Sequence, residues 1–235
     1  MRTFSNSEIL EIWERGVGWH PLDRGLLALS RALSSPIESL ADWPLGRRNR
    51  SLFELHCLCF GPHLESWVSC AGCGQKLEFE VDARELIALD PYEQSLPATV
   101  AVGDDCFRLP ASRDLAQVAL ADDDNTATIR LLERCRVTGP EPPVCSEAML
   151  EQAGEKMASA DPLAEVRLAL HCPACDREWD EALDIAAFVW AEIDARARRL
   201  LWDIHALASA YGWTESEALA LTPARRAMYL EMVQA

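Results

Sequence analysis

The pattern of hydrophobic and polar residues changes twice along the chain. In residues 1–62, apolar positions recur at the spacing of amphipathic helices. Ser5 followed by Glu8 predicts a capping box for a first helix. Pro21 opens a second helical stretch, and Pro44 precedes a third. We therefore predict an N-terminal helical region.

Residues 63–184 contain shorter stretches in which apolar and polar residues alternate. This texture predicts strands, and four of them flank two Cys-x-x-Cys motifs, at 63–70, 77–82, 166–170 and 178–183. Between the motifs we predict a hairpin (99–102 with 106–109), helices at 115–120 and 126–135, a stiff connector at 139–143, and a helix capped by Ser146 that ends near Ala160. We predict this segment to be one central region.

Residues 185–235 return to helical spacing. A long amphipathic helix is predicted from Ile185, with Gly212 as its C-terminal stop. Two shorter helices follow, one capped by Thr214 and one opened by Pro223. This part is therefore predicted to be a C-terminal helical tail.

Charge narrows the range of partners. The chain carries 22 basic and 38 acidic residues, a formal net charge of −16, and the excess acid lies between residues 51 and 184. Nucleic acids and anionic membranes select clustered positive charge, so we expect neither as a partner. No apolar run approaches the roughly 20 residues of a membrane-spanning helix, and the first residues lack the apolar core of a signal peptide. We expect a soluble, cytoplasmic protein.

Four of the nine cysteines form two pairs, Cys70 with Cys73 and Cys172 with Cys175. Two intervening residues let both sulfurs turn toward one point, at the zinc–sulfur distance of about 2.3 Å in a tetrahedral site. Each pair lies between two predicted strands, as in the halves of a zinc ribbon. We predict one structural zinc ion per chain, bound by all four thiolates, although 98 residues separate the pairs. The predicted fold class is α+β, mainly helical, with a small β zinc ribbon.

Two other uses of these thiols remain open. The pairs can act separately, and Cys172-Pro-Ala-Cys175 alone resembles an oxidoreductase motif. A redox pair lies at a helix N-terminus that lowers the thiol pKa, whereas residues 176–180 are acidic and are predicted to be a strand. His171 is a candidate hydrogen-bond donor to the site. Cys57 and Cys59 fall in a helical apolar pattern and are expected to be buried small hydrophobes.

No catalytic motif is found in the sequence, which lacks a G-x-S-x-G elbow, a P-loop and an H-E-x-x-H helix. We therefore expect no enzymatic activity and no small-molecule substrate. The eight tryptophans are expected to be mainly core residues. Arg47, Arg48 and Arg50 lie near the start of the third predicted helix, where positive charge opposes the helix dipole. Two interpretations of this cluster remain open, a partner contact and a solvated face.

Several stretches spread over most of the chain carry a family resemblance: 9–16, 20–25, 47–56, 107–115, 131–135, 204–214 and 225–229. They resemble the baseplate hub assembly chaperone family of contractile-tailed phages, in the zinc-ribbon-containing form associated with bacterial contractile injection systems. The resemblance implies a non-enzymatic protein that acts in the cytoplasm while a phage-tail-like baseplate or its spike hub is assembled. Its partners would be hub, spike or wedge proteins.

A partner contact of this kind needs exposed aromatic residues. We expect it on the tail helices, while the ribbon fixes the central region, and the candidate residues are Trp202, Tyr211, Trp213 and Tyr229, with Arg47, Arg48 and Arg50 as a second set. The alternative function is that of a zinc-ribbon nucleic-acid-binding or transcription accessory protein, in which the arginines would touch phosphates. The acidity of the ribbon-bearing region argues against this alternative.

Overall fold

The computed structural model describes residues 1–88, 99–139 and 146–234 of the chain. The predicted class is confirmed, since the fold is α+β, mainly helical, with small antiparallel sheets. Within the described ranges the helices are α1 Asn6–Gly16, α2 Pro21–Leu33, α3 Ile37–Leu40, α4 Leu45–Cys59, α5 Ala83–Ala88, α6 Ser112–Val118, α7 Asp124–Cys135, α8 Glu147–Ala160, α9 Ile185–Tyr211, α10 Glu215–Ala220 and α11 Pro223–Gln234.

The strands of the described ranges form three small sheets. They are β1 His63–Ser69, β2 Lys76–Asp82, β3 Thr99–Val102, β4 Asp105–Arg108, β5 Arg136–Thr138, β6 Val166–His171 and β7 Glu178–Leu183. The sheet orders are β1-β2, β3-β4-β5 and β6-β7, and every pairing is antiparallel. Of the predicted connector 139–143, residues 140–143 lie outside the described residues.

The predicted helix ends that depend on local sequence are confirmed. The Ser5 N–H donates to Glu8 Oε2 at 3.0 Å and the Glu8 N–H donates to Ser5 Oγ at 3.2 Å, which closes the capping box of α1. An equivalent capping box opens α10. Gly212 ends α9 with a φ of 69°, a left-handed conformation that glycine adopts without a steric penalty.

The main hydrophobic core lies where α1, α2 and α4 pack against α9. Gly25 of α2 permits the close approach of α2 to α9, because a Cβ at this position would lie 2.9 Å from the Cβ of Ala186. The base of each Cys-x-x-Cys hairpin joins the same core through Leu64 and Leu183. The main core therefore contains residues from all three predicted segments, 1–62, 63–184 and 185–235. The boundaries between these segments stay a prediction.

A second, smaller core lies under the β3–β4 hairpin. Its buried members come from the hairpin, α7 and α8, and they are Val102, Phe107, Leu132, Cys135, Ala153 and Met157. Polar contacts connect this part of the molecule to α4. The Gly46 N–H donates to Asp161 Oδ2 at 2.9 Å, and Arg48 Nη1 donates to Ser112 Oγ at 2.9 Å. The Asp161 carboxylate therefore supplies negative charge to the first turn of α4, where the helix dipole favours it.

Some elements were not predicted. The structure adds the one-turn helix α3, the short helix α5 and the three-residue strand β5, and α6 begins at Ser112 rather than at Leu115. These elements are too short for a periodic pattern to establish itself, so their formation depends on packing against neighbouring elements. None of the described helices combines the length and the apolar character that crossing a membrane requires.

The prediction that tryptophans are mainly core residues is wrong for most of them: none of the eight is fully buried, and only Trp13, Trp43 and Trp190 pack, half-buried, against the main core. Trp19, Trp67 and Trp202 are 36%, 56% and 73% exposed. Basic side chains cover two of these indoles: Lys76 Nζ lies 4.0 Å from the ring centroid of Trp67, and the Arg15 guanidinium carbon lies 6.0 Å from that of Trp19. A cation over the ring face gives an indole a favourable contact at the surface without burial.

Candidate metal centre

Two antiparallel hairpins position the four predicted ligands. The β1–β2 hairpin ends with the pair Ser69–Lys76, and the β6–β7 hairpin ends with the pair His171–Glu178. Each Cys-x-x-Cys motif occupies the turn that follows. The alternation of each strand places Cys70 and Cys172 on the same strand face as buried or half-buried apolar residues such as Leu64 and Leu168.

The two turns have the same hydrogen-bond pattern. In the first turn, the Cys70 N–H donates to the Gln75 carbonyl at 2.9 Å and the Gly74 N–H donates to the Cys70 carbonyl at 2.8 Å. In the second turn, the Cys172 N–H donates to the Arg177 carbonyl at 2.9 Å and the Asp176 N–H donates to the Cys172 carbonyl at 2.8 Å. The same backbone shape is therefore built twice, from different sequences.

A left-handed residue follows the second cysteine of each turn. Gly74 has a φ of 76° and Asp176 a φ of 56°. Glycine adopts this conformation freely, and aspartate is among the residues that tolerate it best. The sequence prediction that residues 176–180 are a strand is wrong at its start, because Asp176 belongs to the turn and β7 begins at Glu178. Gly74 and Asp176 each directly follow the second cysteine of their motif. The glycine at this position of the first motif could have indicated that Asp176 also belongs to a turn.

The four sulfurs lie in one cluster, as predicted. Cys70 Sγ is 3.6 Å from Cys175 Sγ, Cys73 Sγ is 3.6 Å from Cys172 Sγ, and all four Sγ atoms lie within 4.8 Å of one another. Four sulfurs around one metal at about 2.3 Å in a tetrahedron would be about 3.8 Å apart. A disulfide would require about 2.0 Å. The cluster therefore has the dimensions of a metal site and holds four unbonded thiols.

Burial within the cluster is uneven. Cys70 and Cys172, the first cysteine of each turn, are 2% and 0% exposed, whereas Cys73 and Cys175 are exposed. A Cβ added to Gly72 would lie 3.3 Å from Arg177 Cδ and 3.5 Å from Cys175 Sγ, so the turns approach closely at this point. The cluster thus lies at the tips of the two hairpins, with one side against protein and one side toward solvent.

Backbone donors and neighbouring thiols shift the pKa values of two cluster cysteines in opposite directions. Hydrogen bonds from the backbone N–H groups of Cys73 and Gly72 lower the pKa of Cys70 to about 6. The Arg177 N–H acts in the same direction on Cys175, but hydrogen bonds with Cys73 and Cys70 outweigh it and raise the pKa of Cys175 to about 12. In the absence of a cation, one thiol ionises at the expense of another. A divalent cation would remove this conflict, because all four sulfurs could then be thiolates.

The histidines near the turns have other contacts. His171 Nε2 lies 3.4 Å from Asp176 Oδ1 on the surface of the second hairpin, so the residue proposed as a donor to the site faces a carboxylate. His56 is buried, and its Nδ1 lies 2.8 Å from the Gly61 carbonyl at the end of α4. Burial lowers the pKa of His56. Neither ring belongs to the sulfur cluster.

Three described cysteines outside the cluster are packing residues. Cys57 and Cys59 are half-buried against the main core, and Cys135 is fully buried in the second core. Burial raises the pKa of all three thiols, that of Cys135 to about 11. These thiols are therefore poor nucleophiles at neutral pH.

The candidate partner residues of the tail fall into two groups. Trp202 projects from α9 into solvent. The other three pack on one another: the rings of Tyr211 and Trp213 stack with centroids 4.9 Å apart, and Tyr229 meets Trp213 edge-on at 4.9 Å. This aromatic trio holds α11 against the end of α9, and Tyr211 remains 40% exposed.

The three arginines of α4 have separate environments, so both interpretations of the cluster, as a solvated face and as a partner contact, are wrong for Arg48. Arg48 is only 7% exposed, and its guanidinium donates to Asn49 and Ser112. Arg50 forms an ion pair with Glu54 at 3.2 Å. Arg47 is exposed and lies over the ring of Trp43. Arg48 therefore connects α4 to α6 through its hydrogen bond with Ser112 and is buried rather than at the surface.

Comparison of the chain with protein-family models, with curated proteins and with solved structures gives no match.

Proposed function

We propose that Cys70, Cys73, Cys172 and Cys175 bind one zinc ion and that the two hairpins form a zinc ribbon. The single observation that carries this proposal is the 3.6 Å spacing of sulfurs across two turns of identical hydrogen bonding. Soft thiolates in a tetrahedral arrangement favour zinc over magnesium or calcium, which prefer oxygen ligands.

The zinc ion would have a structural role. All four coordination positions would be filled by protein sulfurs, so neither water nor substrate would have a position on the metal. The ion would bind the tips of two hairpins that are distant in sequence, and the region between them carries the second core. Zinc would therefore hold the central region against the main core and stabilise the folded state outright.

A thiol oxidoreductase is less well supported. Redox Cys-x-x-Cys pairs rely on a helix N-terminus to stabilise the thiolate, whereas each pair here lies between two strands. The two sulfur contacts of 3.6 Å each join one hairpin to the other, which suits coordination of one ion better than exchange within a pair. Metal content and thiol reactivity distinguish these two uses.

For the whole protein we propose a non-enzymatic, cytoplasmic assembly factor for the baseplate or spike hub of a phage-tail-like contractile injection system. The support is the resemblance of seven stretches to baseplate hub assembly chaperones, together with an exposed aromatic surface on the tail. Around Trp202, the residues Trp13, Arg198, Leu201 and His205 line a shallow concavity of about 470 Å³. An exposed tryptophan beside such a concavity is typical of a residue that anchors a protein partner.

The test of this function is co-expression with hub, spike and wedge proteins of such a system. We expect the chain to co-purify with at least one of them, and the complex to be lost in Trp202→Ala. Leu120→Ala is the matched control, because Leu120 is 89% exposed but lies outside this surface. Failure to co-purify with any of these proteins, together with normal baseplate assembly in its absence, would overturn the proposal.

The nucleic-acid-binding alternative rests on the proposed zinc ribbon and on the arginines of α4, of which Arg48 is buried. The two hairpins, residues 63–82 and 166–183, carry eight acidic and three basic residues. A phosphate backbone would meet net negative charge on this surface. We expect no binding of DNA or RNA to the zinc-loaded protein at low salt. Binding under these conditions would support this alternative.

A further inference from the structure

A cavity of about 440 Å³ lies between α9 and α11, away from the cysteine cluster. Three arginines line it, Arg196 and Arg199 from α9 and Arg226 from α11. Two carboxylates, Glu192 and Asp203, line it as well, so the ionisable groups facing the cavity carry a net charge of +1. The remaining wall is apolar and consists of Ala195, Leu200, Pro223, Ala227 and Leu230.

Arg226 is the most deeply placed of the three. It is 8% exposed, and its Nε donates to Asp203 at 3.0 Å. Its Nη1 is buried and has no hydrogen-bond partner among the described residues. A buried guanidinium N–H without an acceptor is costly, so a ligand oxygen that reaches it would be strongly favoured.

The other two guanidinium groups have no carboxylate partner in the described parts of the chain. Arg196 donates only to the neutral Asn6 amide oxygen, at 3.3 Å, and Arg199 forms no ion pair there. On the next face of the same helix, Arg198 is paired with Asp194 at 2.8 Å. The cavity therefore keeps one net positive charge, whereas the charge of Arg198 beside it is balanced by Asp194.

Two further features suit the cavity to an anion. Pro223 begins α11 at the rim of the cavity, so the positive end of a twelve-residue helix dipole lies there. Guanidinium groups match carboxylate and phosphate oxygens through paired N–H donors. The apolar wall would accommodate the carbon skeleton of the same ligand.

We propose that this cavity is a binding site for a small oxyanion ligand, held through a carboxylate or phosphate group by Arg196, Arg199 and Arg226. Asp203 fixes the orientation of Arg226, and Glu192 limits the charge of the ligand by repelling polyanions. The site is independent of the zinc ion and of the proposed assembly function.

The test is a titration of the full, zinc-loaded chain with inorganic phosphate and, separately, with succinate at constant ionic strength. The readout is the NMR chemical shift of the arginine side-chain Nε–H groups. We expect saturable shifts at Arg199 and Arg226 with at least one of the two probes. Arg199→Gln should weaken that binding by about tenfold or more, because one charged donor is removed.

Arg225→Gln is the matched control. Arg225 is exposed and adjacent to Arg226 in sequence, but it does not line the cavity. We expect this variant to bind both probes as the wild type does. The proposal is overturned if neither probe gives saturable shifts, or if Arg225→Gln weakens binding as much as Arg199→Gln, since general surface charge would then explain the effect.

Discussion

Cys70 Sγ lies 3.6 Å from Cys175 Sγ although 105 positions separate the two residues. The second cross-pair, Cys73 with Cys172, repeats this distance across 99 positions. Contacts between sulfurs this far apart in sequence close the central region into a loop, with the second hydrophobic core inside it. The stability of that region should therefore depend on whatever binds the sulfurs.

Removal of the metal should destabilise the hairpins first. We expect a strong chelator to lower the melting temperature by at least about 5 °C and to increase amide exchange in β1, β2, β6 and β7 before it affects α2 and α9. The physical reason is that the hairpin tips have few buried contacts besides the sulfurs, whereas α2 and α9 lie in the main core. Hydrogen exchange followed by mass spectrometry measures this order. Uniform exchange across hairpins and helices after chelation would contradict the prediction.

Gly25→Ala should destabilise the packing of α2 against α9. The added Cβ would lie 2.9 Å from the Cβ of Ala186, so the helices must separate, at a cost of about 1–3 kcal/mol in the free energy of unfolding. Gly154→Ala in α8 is the control, because the added Cβ there would have no atom within 4 Å apart from its chain neighbours and the backbone of its own helix. That substitution should stabilise the protein by about 0.5–1 kcal/mol through helix propensity. Denaturant unfolding measures both, and equal effects would contradict the account of the helix crossing.

Asp114 should make stability depend on acid pH. Burial alone would raise the pKa of this carboxyl, but hydrogen bonds from Arg108 and the Ala111 N–H, with the charges of Arg108 and Arg134, lower it below its ordinary value. A folded-state pKa below the unfolded one contributes stability above the ordinary aspartate range, and this contribution is lost as pH falls through the folded value.

Asp114→Asn should therefore cost about 1–3 kcal/mol at neutral pH and should flatten the loss of stability below about pH 4. Asp42→Asn is the matched control, because the Asp42–Arg113 pair is exposed on both sides and should contribute little. The measurement is the free energy of unfolding of the wild type and both variants between pH 3 and pH 7. An Asp114→Asn profile parallel to that of the wild type would contradict the predicted linkage.

Trp202 and Leu207 lie on the same helix, but their substitution by alanine should affect different properties. The first change should affect partner binding, and the second should affect stability. Trp202 is 73% exposed, so Trp202→Ala should leave the free energy of unfolding within about 0.5 kcal/mol of the wild type while abolishing partner binding. Leu207 is fully buried, and Leu207→Ala should cost about 2–5 kcal/mol. A large loss of stability in Trp202→Ala would assign this residue to the fold rather than to a partner surface.

Local sequence signals predicted much of the fold. Ser5 with Glu8 and Thr214 with Glu217 fix helix starts through contacts within one turn, and Gly212 fixes a helix end. The convergence of the four cysteines was predictable for a related reason. Each Cys-x-x-Cys turn is a local structure, and its repetition between pairs of strands indicates that the two turns meet.

The remaining features depend on contacts between distant residues. Nothing near Gly46 in sequence indicates that Asp161 supplies the carboxylate at the start of α4. Arg48 belongs to a basic cluster in sequence and is buried because Asn49 and Ser112 accept its N–H groups. The arginine-lined cavity also arises only when α11 folds back on α9, which brings Arg226 to Arg199.

Metal analysis of the purified protein tests the central claim most directly. Protein purified under reducing conditions without added metal should contain about one zinc ion per chain by mass spectrometry of the metal. Cys73→Ser should lose it, and Cys106→Ser, a change in β4 outside the cluster, should retain it. A wild-type protein with reduced thiols and no zinc, or a Cys73→Ser variant with as much zinc as the wild type, would contradict the four-thiolate site.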